Sequence, residues 1–420
     1  MSRAATRSTR SSRHSRPARY RPITSPLAAR AVALARGIRI VAELDLRSTA
    51  RRRATWIAAG AWVAVVYGLL VLALAGTSGG ATDDGAGTLV HSLIATSALA
   101  AGLAVVPALG ADTLNRNRDS GLLDMLRVTQ LSARAISWGV FAGTLLRVLG
   151  LVALTAPALL TGLALGGSDV SGFAWALLVL TAVPTAVAAV AQAASALFAR
   201  RATALIAAYT ATGVLVLGPW VAYAAALPLT TQTVSAQVRV LAGTHGTERS
   251  SGGSDGGASC VTITEERERT RPDRIWWLLA PEPFVVLADA APGRIGGAVG
   301  FEPLSAARDA LRLARIAPPP GEMLVDECPL SDTVAESPEA ETGAVASADK
   351  VTGGAVGAAE ATHGEATRAA IEAVPPTWPL GLAVLSLTGA AGLAVSTRRL
   401  RAPGVPAVGE HLVDSSPRDL

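Results

Sequence analysis

Long apolar runs separated by polar connectors dominate the first half of the chain, and one further run lies near the C-terminus. A helix rises about 1.5 Å per residue, so roughly 20 apolar residues cross the hydrocarbon core of a bilayer. Six runs are long enough, at residues 54–76, 89–111, 137–165, 172–199, 202–227 and 378–396. The pattern predicts an all-α polytopic membrane protein with six transmembrane helices.

The composition agrees with a membrane protein. Hydrophobic residues make up 50% of the chain and charged residues 16%, whereas a soluble domain averages about 25% charged residues. Almost every basic residue is arginine, with Lys350 as the one lysine, a bias typical of high-GC genomes such as those of actinobacteria. The cores of the six runs contain no acidic residue and a single basic one, Arg147.

Connectors that are rich in arginine alternate with connectors that lack it, and this distribution predicts the topology. They are frequent before the first run, in the second and fourth connectors and after the last run, but absent from the first and third connectors. The positive-inside rule therefore places both termini and the second and fourth connectors in the cytoplasm. We expect a multi-pass protein of the plasma membrane whose first, third and fifth connectors face outward.

This topology divides the chain into consecutive segments. We expect residues 1–26 to form a disordered basic tail and residues 27–53 an interfacial amphipathic helix. The tail could suggest nucleic acid, but beside a membrane its arginines are better suited to anionic lipid, so we expect no nucleic-acid partner. The remaining segments are helices 1–5 at 54–227, with a cytoplasmic segment at 112–136, the outward connector at 228–377, helix 6 at 378–397 and a cytoplasmic tail at 398–420.

The outward connector is far longer than a plain loop. Both of its ends are rich in Gly, Ser, Ala and Thr, which is typical of low-complexity segments. Its middle contains "PLSAARDALRLARI", which predicts an amphipathic helix. The apolar face of that helix would hold Leu304, Ala307, Leu311 and Ala314, and the arginines 308, 312 and 315 would lie mostly on the opposite face.

Both cysteines of the chain, Cys260 and Cys328, lie in the outward connector. An oxidising exterior permits a disulfide between them. The alternative is a pair of unrelated free thiols.

Motifs for covalent chemistry are absent from the sequence. There is no GxxxxGK[ST] phosphate-binding loop, no HExxH or Cys/His metal spacing, and no GxSxG nucleophile motif. We therefore expect neither an enzyme nor a cofactor or metal site in this chain. The apolar runs also lack carboxylates, which disfavours a proton-coupled transporter.

Two polar residues within the apolar runs are candidates for function. Arg147 lies about ten residues into the third run, where a charge is costly and often functional. Alternatively, the membrane span begins later and the arginine extends to the interface. Gln192, in the fourth run, is more typical of hydrogen bonding between helices than of a substrate contact.

A charged, amphipathic segment separates the second and third runs, with the sequence "NRNRDSGLLDMLRVTQLSARAISWG". It resembles the segment between the second and third spans in the permease subunit of type-two ABC exporters, including actinobacterial ones. The segments "LTAPALLTGLALGGSDV", "SALFARRATA" and "PEPFVVLADA" are similar to other parts of that family. The chain departs from the family pattern at Gln130, Val140 and Glu282, where proline, lysine and asparagine are usual.

The resemblance implies a function and a set of partners. The chain would pair with a second permease chain, as a homodimer or heterodimer, and would bind an ATP-binding subunit that holds ATP and magnesium. The segment that couples to this ATPase would include Arg118, Asp119, Gly121, Leu122, Asp124, Leu126, Thr129, Leu131 and Ser132. The alternative is a non-transporting membrane scaffold or sensor whose outer connector binds a ligand.

Overall fold

The computed structural model describes residues 26–77, 83–119, 132–241, 260–291, 303–317, 323–326 and 367–401, and most of them are helical. The long helices and those of the connector are α1 (Pro26–Ala50), α2 (Arg53–Thr77), α3 (Asp83–Asp119), α4 (Ala133–Ala164), α5 (Val170–Leu197), α6 (Arg201–Ala226), α7 (Pro283–Ala290), α8 (Pro303–Leu313) and α9 (Trp378–Arg401). A short helix at residues 367–373 precedes α9. Helices α2–α6 and α9 are long and apolar enough to cross a membrane, which confirms the six predicted runs.

The two ends of the bundle differ. At one end, named the linker end, α3 stops at Asp119 and α4 begins at Ala133. At the opposite end, named the sheet end, α6 leads into the connector and α9 begins. The predicted segment 112–136 is thus helical at both ends. Helix α3 continues past residue 111, because the polar residues at its end find hydrogen-bond partners within the bundle.

Helices α3 and α5 form the centre of the bundle. Helix α3 packs against α2, α4, α5 and α6, and α5 also packs against α9. The approach of α9 is close: a methyl group at Gly392 would lie 2.8 Å from the carbonyl oxygen of Ala189, so a small residue is needed there. The main apolar core includes Val90, Ile94, Leu99, Leu159, Val179, Val183 and Leu385.

Four of the long helices contain an interior proline, namely Pro107 in α3, Pro157 in α4, Pro184 in α5 and Pro219 in α6. Each lacks the N–H that would close the helical hydrogen bond to the residue four positions earlier. Such positions are tolerated in membrane helices when neighbouring groups satisfy the freed carbonyl.

The connector adds a three-stranded sheet that was not predicted from the sequence. Strand β1 (Gln232–Leu241) pairs antiparallel with β2 (Cys260–Arg269) and parallel with β3 (Met323–Asp326), in the order β2-β1-β3. Alternate residues of β1 are buried, including Ala236, Val238 and Val240. This period of two is the pattern of a strand with one covered face.

The prediction that the arginines of the connector helix lie mostly on the face opposite to its apolar residues is wrong for two of the three, which are buried with Leu304. Arg308 is 7% exposed and Arg312 is 8% exposed. The reason lies in the neighbouring helix, because Arg312 donates through Nε to Asp289 of α7 at 3.0 Å. Helix α8 therefore packs by a face that contains charge as well as the apolar side chain of Leu304.

Asp289 joins the connector to the last long helix. Besides Arg312, it accepts hydrogen bonds from the backbone N–H and the hydroxyl of Thr377, the latter at 2.8 Å, and from the N–H of Trp378 at 3.0 Å. Burial acts to raise the pKa of Asp289, but these hydrogen bonds outweigh it and hold the pKa below the usual 3.8. A single buried carboxylate thus fixes α8 and caps the start of α9.

Glu282 caps the short helix α7 at the sheet end. Its Oε2 accepts from the backbone N–H of Val285 at 2.6 Å, and the residue is fully buried. Burial raises the pKa of Glu282 to about 7, although hydrogen bonds to the carboxylate oppose the change. Both protonation states of this cap are therefore populated near neutral pH.

Candidate functional site

The predicted coupling segment lies at the linker end, and the structure describes only its margins. Arg118 and Asp119 close α3, and Ser132 directly precedes α4. The other predicted residues, Gly121, Leu122, Asp124, Leu126, Thr129 and Leu131, lie outside the described residues.

Arg118 fixes the end of α3 to the end of α5. Its Nη1 donates to the side-chain oxygen of Asn115 at 2.7 Å and to the carbonyl oxygen of Ser195 at 3.1 Å. Longer contacts reach the carbonyl oxygens of Ala196 and Phe198. The last carbonyls of a helix lack intrahelical donors and carry a partial negative charge, so a guanidinium group is well suited to this position.

A second contact between the same helices is made by the hydroxyl of Ser195. Its oxygen accepts from the backbone N–H of Leu114 at 3.2 Å and from that of Asn115 at 3.3 Å. The side chains of Asn115 and Asn117 are buried as well, at 1% and 4% exposure. The polar end of α3 is therefore part of the packed bundle rather than a solvated turn.

Ser132 begins α4 as its N-cap. The backbone of Ser132 is extended, and its hydroxyl oxygen accepts from the N–H of Ala135 at 3.2 Å. A serine in this position satisfies one of the free donors at the start of a helix, which stabilises the helix by about 1 kcal/mol. Both margins of the linker are therefore held by specific hydrogen bonds.

Helix α1 contributes a buried carboxylate, Asp45, between two arginines. Asp45 is 1% exposed. Its Oδ1 accepts from Nη2 of Arg116 at 3.2 Å, and its Oδ2 accepts from Nη2 of Arg147. Arg147 also donates to the hydroxyl of Thr49 at 3.0 Å. The predicted intramembrane arginine is thus paired with α1, and this partner was not foreseen from the sequence.

The ion pairs continue from Arg116 towards α6. Nη1 of Arg116 lies 3.5 Å from Oδ2 of Asp112, and Oδ1 of Asp112 accepts from Nε of Arg201 at 2.7 Å. Together with Asp45 and Arg147, these residues form a charged network that connects α1, α3, α4 and α6. A cleft of about 380 Å³ opens beside it between α3 and α6.

The electrostatics of the charged network depend on complete pairing. Transferring a charge out of water costs several kcal/mol per ion, and the attraction between partners offsets this only with good geometry. Asp45 is the centre, because it is the described carboxylate that contacts both Arg116 and Arg147. Removal of this one carboxylate would leave two nearly buried guanidinium groups without their shared partner.

Close packing of α1 on α4 brings Asp45 to the arginines. A methyl group at Gly139 would lie 2.5 Å from Cβ of Val41 and 3.0 Å from the carbonyl oxygen of Ile38. One turn later, a methyl group at Gly143 would lie 2.6 Å from Oδ2 of Asp45. Two glycines on one face of α4 therefore allow α1 to pack closely against it.

We expect Gly139→Ala to destabilise the protein by about 1–3 kcal/mol, because the added methyl group overpacks the contact with α1. The matched control is Gly150→Ala, where a methyl group meets nothing within 4 Å. Both changes give the same gain in helix propensity. The free energy of unfolding of the purified chain in detergent measures the difference, and equal stability of the two variants would contradict this packing.

Gln192 connects three helices at the linker end. Its amide nitrogen donates to the carbonyl oxygen of Ser137 at 3.0 Å and lies 3.3 Å from the hydroxyls of both Ser137 and Ser396. These two hydroxyls are 2.6 Å apart. Gln192 is buried and contacts two neighbouring helices, as expected of a residue that holds helices together.

The predicted disulfide falls partly outside the described residues. Cys260 begins β2, whereas Cys328 is not among the residues that the structure describes. The pairing stays a prediction.

Most members of the charged network were not predicted from the sequence, although the sequence contains a signal for one of them, Asp45. Asp45 shares a helical face with Val41, Ala42 and Thr49, all of them buried. A carboxylate at this spacing on the apolar face of an amphipathic helix indicates a buried partner. Asp112 and Arg201 offered no such signal, since each stands at the polar margin of an apolar run.

Among the described residues, no group of three or more His, Cys, Asp or Glu side chains is placed to hold a metal ion. Comparisons of the chain with protein-family models, with curated proteins and with solved structures found no match. Function is therefore inferred from the six helices that are long and apolar enough to cross a membrane and from the geometry of the linker end.

Proposed function

We propose that this chain is the permease subunit of an ATP-binding-cassette exporter. In this proposal it forms the transport path in the plasma membrane and couples to a separate ATPase subunit that carries ATP and magnesium. The linker end and both termini face the cytoplasm, and the sheet end faces outward. The arginines at the linker end support this orientation, including the three that close α9, Arg398, Arg399 and Arg401.

The observation that carries the proposal is the anchoring of both margins of the linker. On one side Arg118 binds the end of α5, and on the other Ser132 caps α4. A partner that displaces the segment between them would therefore move α3, α4 and α5 together. A loosely attached loop would absorb the same displacement without moving the helices.

The charged network would extend this movement to α1 and α6. Asp45 is bonded to arginines on both α3 and α4, so a change in the angle between these helices also acts on α1. Asp112 does the same for α6 through Arg201. The mechanical role of the chain is then to convert closure of the ATPase subunits into a rearrangement of its spans.

A second permease chain, identical or related, completes the transport path in this proposal. Helix α6 offers surface for it, because only 17% of its most apolar stretch is buried within the chain. Several of its large side chains are exposed, including Ile206, Val214, Leu217 and Val221. Lipid covers whatever part of this face a second chain leaves free.

Co-purification tests the proposal. The full chain, extracted in mild detergent from its native host, should bring with it a subunit that has a Walker motif and ATPase activity. Asp124→Arg and Leu126→Pro should leave insertion intact but reduce recovery of that subunit by tenfold or more, since both disturb the predicted coupling segment.

Two controls make the result interpretable. Membrane insertion of each variant is checked by carbonate extraction, and Glu43→Gln, a change at an exposed ion pair of α1, serves as the matched substitution. If both coupling variants retain the ATPase, the assignment of the coupling segment is wrong. If the unaltered chain recovers no ATPase, the exporter hypothesis gives way to the scaffold or sensor hypothesis.

A further inference from the structure

The cleft beside the charged network, between α3 and α6, combines a charged mouth with an apolar wall. Its volume is about 380 Å³, within the range of about 300–1,000 Å³ that is usual for ligand pockets. Asp112, Arg116 and Arg201 line the charged part, and Leu109 and Leu205 belong to the apolar part. The apolar stretch of α6 begins at Arg201, so the charged mouth lies at the end of the span and the apolar wall lies along it.

The charged network beside the cleft has an excess of positive charge. It contains three arginines and two carboxylates, namely Arg116, Arg147, Arg201, Asp45 and Asp112. Asp112, the carboxylate that lines the cleft, is shared between Arg116 and Arg201, so it compensates neither of them completely. The cleft therefore favours a ligand with negative charge.

Arg116 lines the cleft with part of its hydrogen-bonding capacity unused. Its side chain is only 10% exposed, and its Nε has no hydrogen-bond partner among the described residues. Its contact with Asp112 is long, at 3.5 Å from Nη1 to Oδ2. A buried donor without a partner is energetically costly, more so when it belongs to a charged group. An acceptor that enters the cleft from the mouth reduces this cost.

The beginning of α6 adds backbone donors at the same place. The N-cap residue, Arg200, makes no capping hydrogen bond with its side chain. The N–H of Ala204 bonds to the carbonyl oxygen of Arg200 at 3.0 Å, whereas the N–H groups of Ala202 and Thr203 precede the first turn and lack an intrahelical acceptor. Both residues are exposed, and Ala202 lines the cleft. Free N–H groups at the positive end of a helix dipole are well suited to a phosphate group.

Arg201 is placed to hold such a group at the mouth of the cleft. Its Nε donates to Asp112 at 2.7 Å, which fixes the position of the guanidinium group. The side chain is still 55% exposed, so a ligand can reach it. Arginine binds phosphate oxygens through strong, charge-assisted hydrogen bonds.

We propose that this cleft binds an anionic phospholipid by its phosphate group. The phosphate oxygens accept from Arg201 and from the free N–H groups at the start of α6, and an acyl chain lies along Leu109 and Leu205. Basic pockets between membrane helices are typical sites for anionic headgroups. A free phosphate ion has the same charge but leaves the apolar wall uncovered. The site stands independently of transport, and only its placement in the cytoplasmic leaflet rests on the proposed function.

Native mass spectrometry of the full chain in detergent measures the lipid preference. The probes are dioleoyl phosphatidylglycerol, dioleoyl phosphatidylcholine and dioleoylglycerol, which share their acyl chains. Phosphatidylglycerol should bind about fivefold more tightly than phosphatidylcholine, the effect expected of one net charge near basic residues. Dioleoylglycerol, which has no phosphate, should bind most weakly.

Hydrogen exchange locates the bound phosphate. Phosphatidylglycerol should slow the exchange of the backbone N–H groups at residues 202–203. Exchange at the start of α4 should not change, because the hydroxyl of Ser132 already caps that helix. Inorganic phosphate in excess, added instead of lipid, should give no such protection.

Two pairs of substitutions test the charged contacts. Arg201→Gln should weaken binding of phosphatidylglycerol by about tenfold, as expected for a hydrogen bond to a charged group. Arg134→Gln, at an exposed arginine of α4 at the same end of the bundle, should leave binding unchanged. Ala202→Glu places a carboxylate where the phosphate binds and should abolish the preference for phosphatidylglycerol, although an acidic residue is favourable in the first turn of a helix. Ala202→Gln has the same size without the charge and should retain the preference.

Three outcomes would overturn the proposal. Equal affinity for phosphatidylglycerol and phosphatidylcholine would show that the apolar wall holds any lipid. Protection of residues 202–203 by inorganic phosphate alone would indicate an ion site instead. Equal losses in Arg201→Gln and Arg134→Gln would show only a general attraction to basic residues. Because no ATPase is present in these experiments, each outcome removes the site without affecting the exporter proposal, and failure to recover an ATPase leaves the site standing.

Discussion

Replacing Asp45 with asparagine is expected to destabilise the protein by about 3–5 kcal/mol, the usual cost of leaving a buried charge without its partner. The substitution is nearly isosteric, so packing is preserved and the charge alone is lost. Arg147 is affected most, because Asp45 is its ion-pair partner among the described residues and its Nε and Nη1 are already buried without hydrogen-bond partners there. Arg116 retains the longer contact with Asp112.

The control lies two residues earlier on the same helix. Glu43 pairs with Arg47 at the surface, where both side chains are about half exposed or more, and such pairs contribute about 0–1 kcal/mol. Unfolding of the purified variants in detergent, followed by tryptophan fluorescence, gives the free energies. If Asp45→Asn is no less stable than Glu43→Gln, the charged network has no energetic role.

A double substitution distinguishes loss of pairing from general damage to α1. Adding Arg147→Met to Asp45→Asn removes the unpaired guanidinium and places an apolar chain of similar length against α1. Part of the lost stability should then return, since replacing a buried ion pair with apolar residues is often neutral or better. A double variant that is weaker than Asp45→Asn would indicate that the arginine contributes through packing instead.

The sequence was sufficient to predict the positions of the six long apolar helices, because hydropathy depends on local composition. Each apolar run became a long helix, and the extensions beyond the predicted ends occur where polar residues, such as Asn115 and Asn117, are buried by neighbours. Membrane depth alone identified Arg147 as unusual. Its partner could not be predicted, because Asp45 belongs to a different helix and approaches only through the glycines of α4.

The sheet and the buried arginines of the connector could not be predicted from the sequence, for two physical reasons. Strand β3 pairs with β1 across a long stretch of sequence. The alternation within β1 is therefore the one local pattern that indicates a strand, and it does not show which strands pair. Amphipathicity placed Arg308 and Arg312 on the face of α8 opposite to its apolar residues, since charges usually face water. That rule fails when a neighbouring helix supplies a buried carboxylate, as α7 does with Asp289.

Asp289→Asn is expected to cost a similar 3–5 kcal/mol, and its effect should be confined to the sheet end. The carboxylate accepts from Arg312, from both donors of Thr377 and from the N–H of Trp378. An amide in its place offers one acceptor and turns an NH₂ group towards donors. The buried Arg312 then loses its counter-charge, and α9 loses the cap at its start.

The dependence of stability on pH gives this prediction a second readout. The pKa of Asp289 is lower in the folded protein than its usual 3.8, so the carboxylate stabilises the fold fully above that value. This contribution is lost as the pH falls through the lowered pKa of the folded state. Unaltered protein should therefore lose stability in acid more steeply than Asp289→Asn.

Glu265→Gln is the matched control for the connector, because Glu265 pairs with Arg267 in an exposed position of β2. It should change the free energy of unfolding by less than about 1 kcal/mol. The loss of stability in acid should be as steep as in the unaltered protein. Protection of α9 backbone amides, measured by hydrogen exchange, should fall in Asp289→Asn at the first turn after Trp378 and remain unchanged near Ser396. If exchange at the first turn of α9 in Asp289→Asn matches that of the unaltered protein, Asp289 does not hold the start of this helix in place.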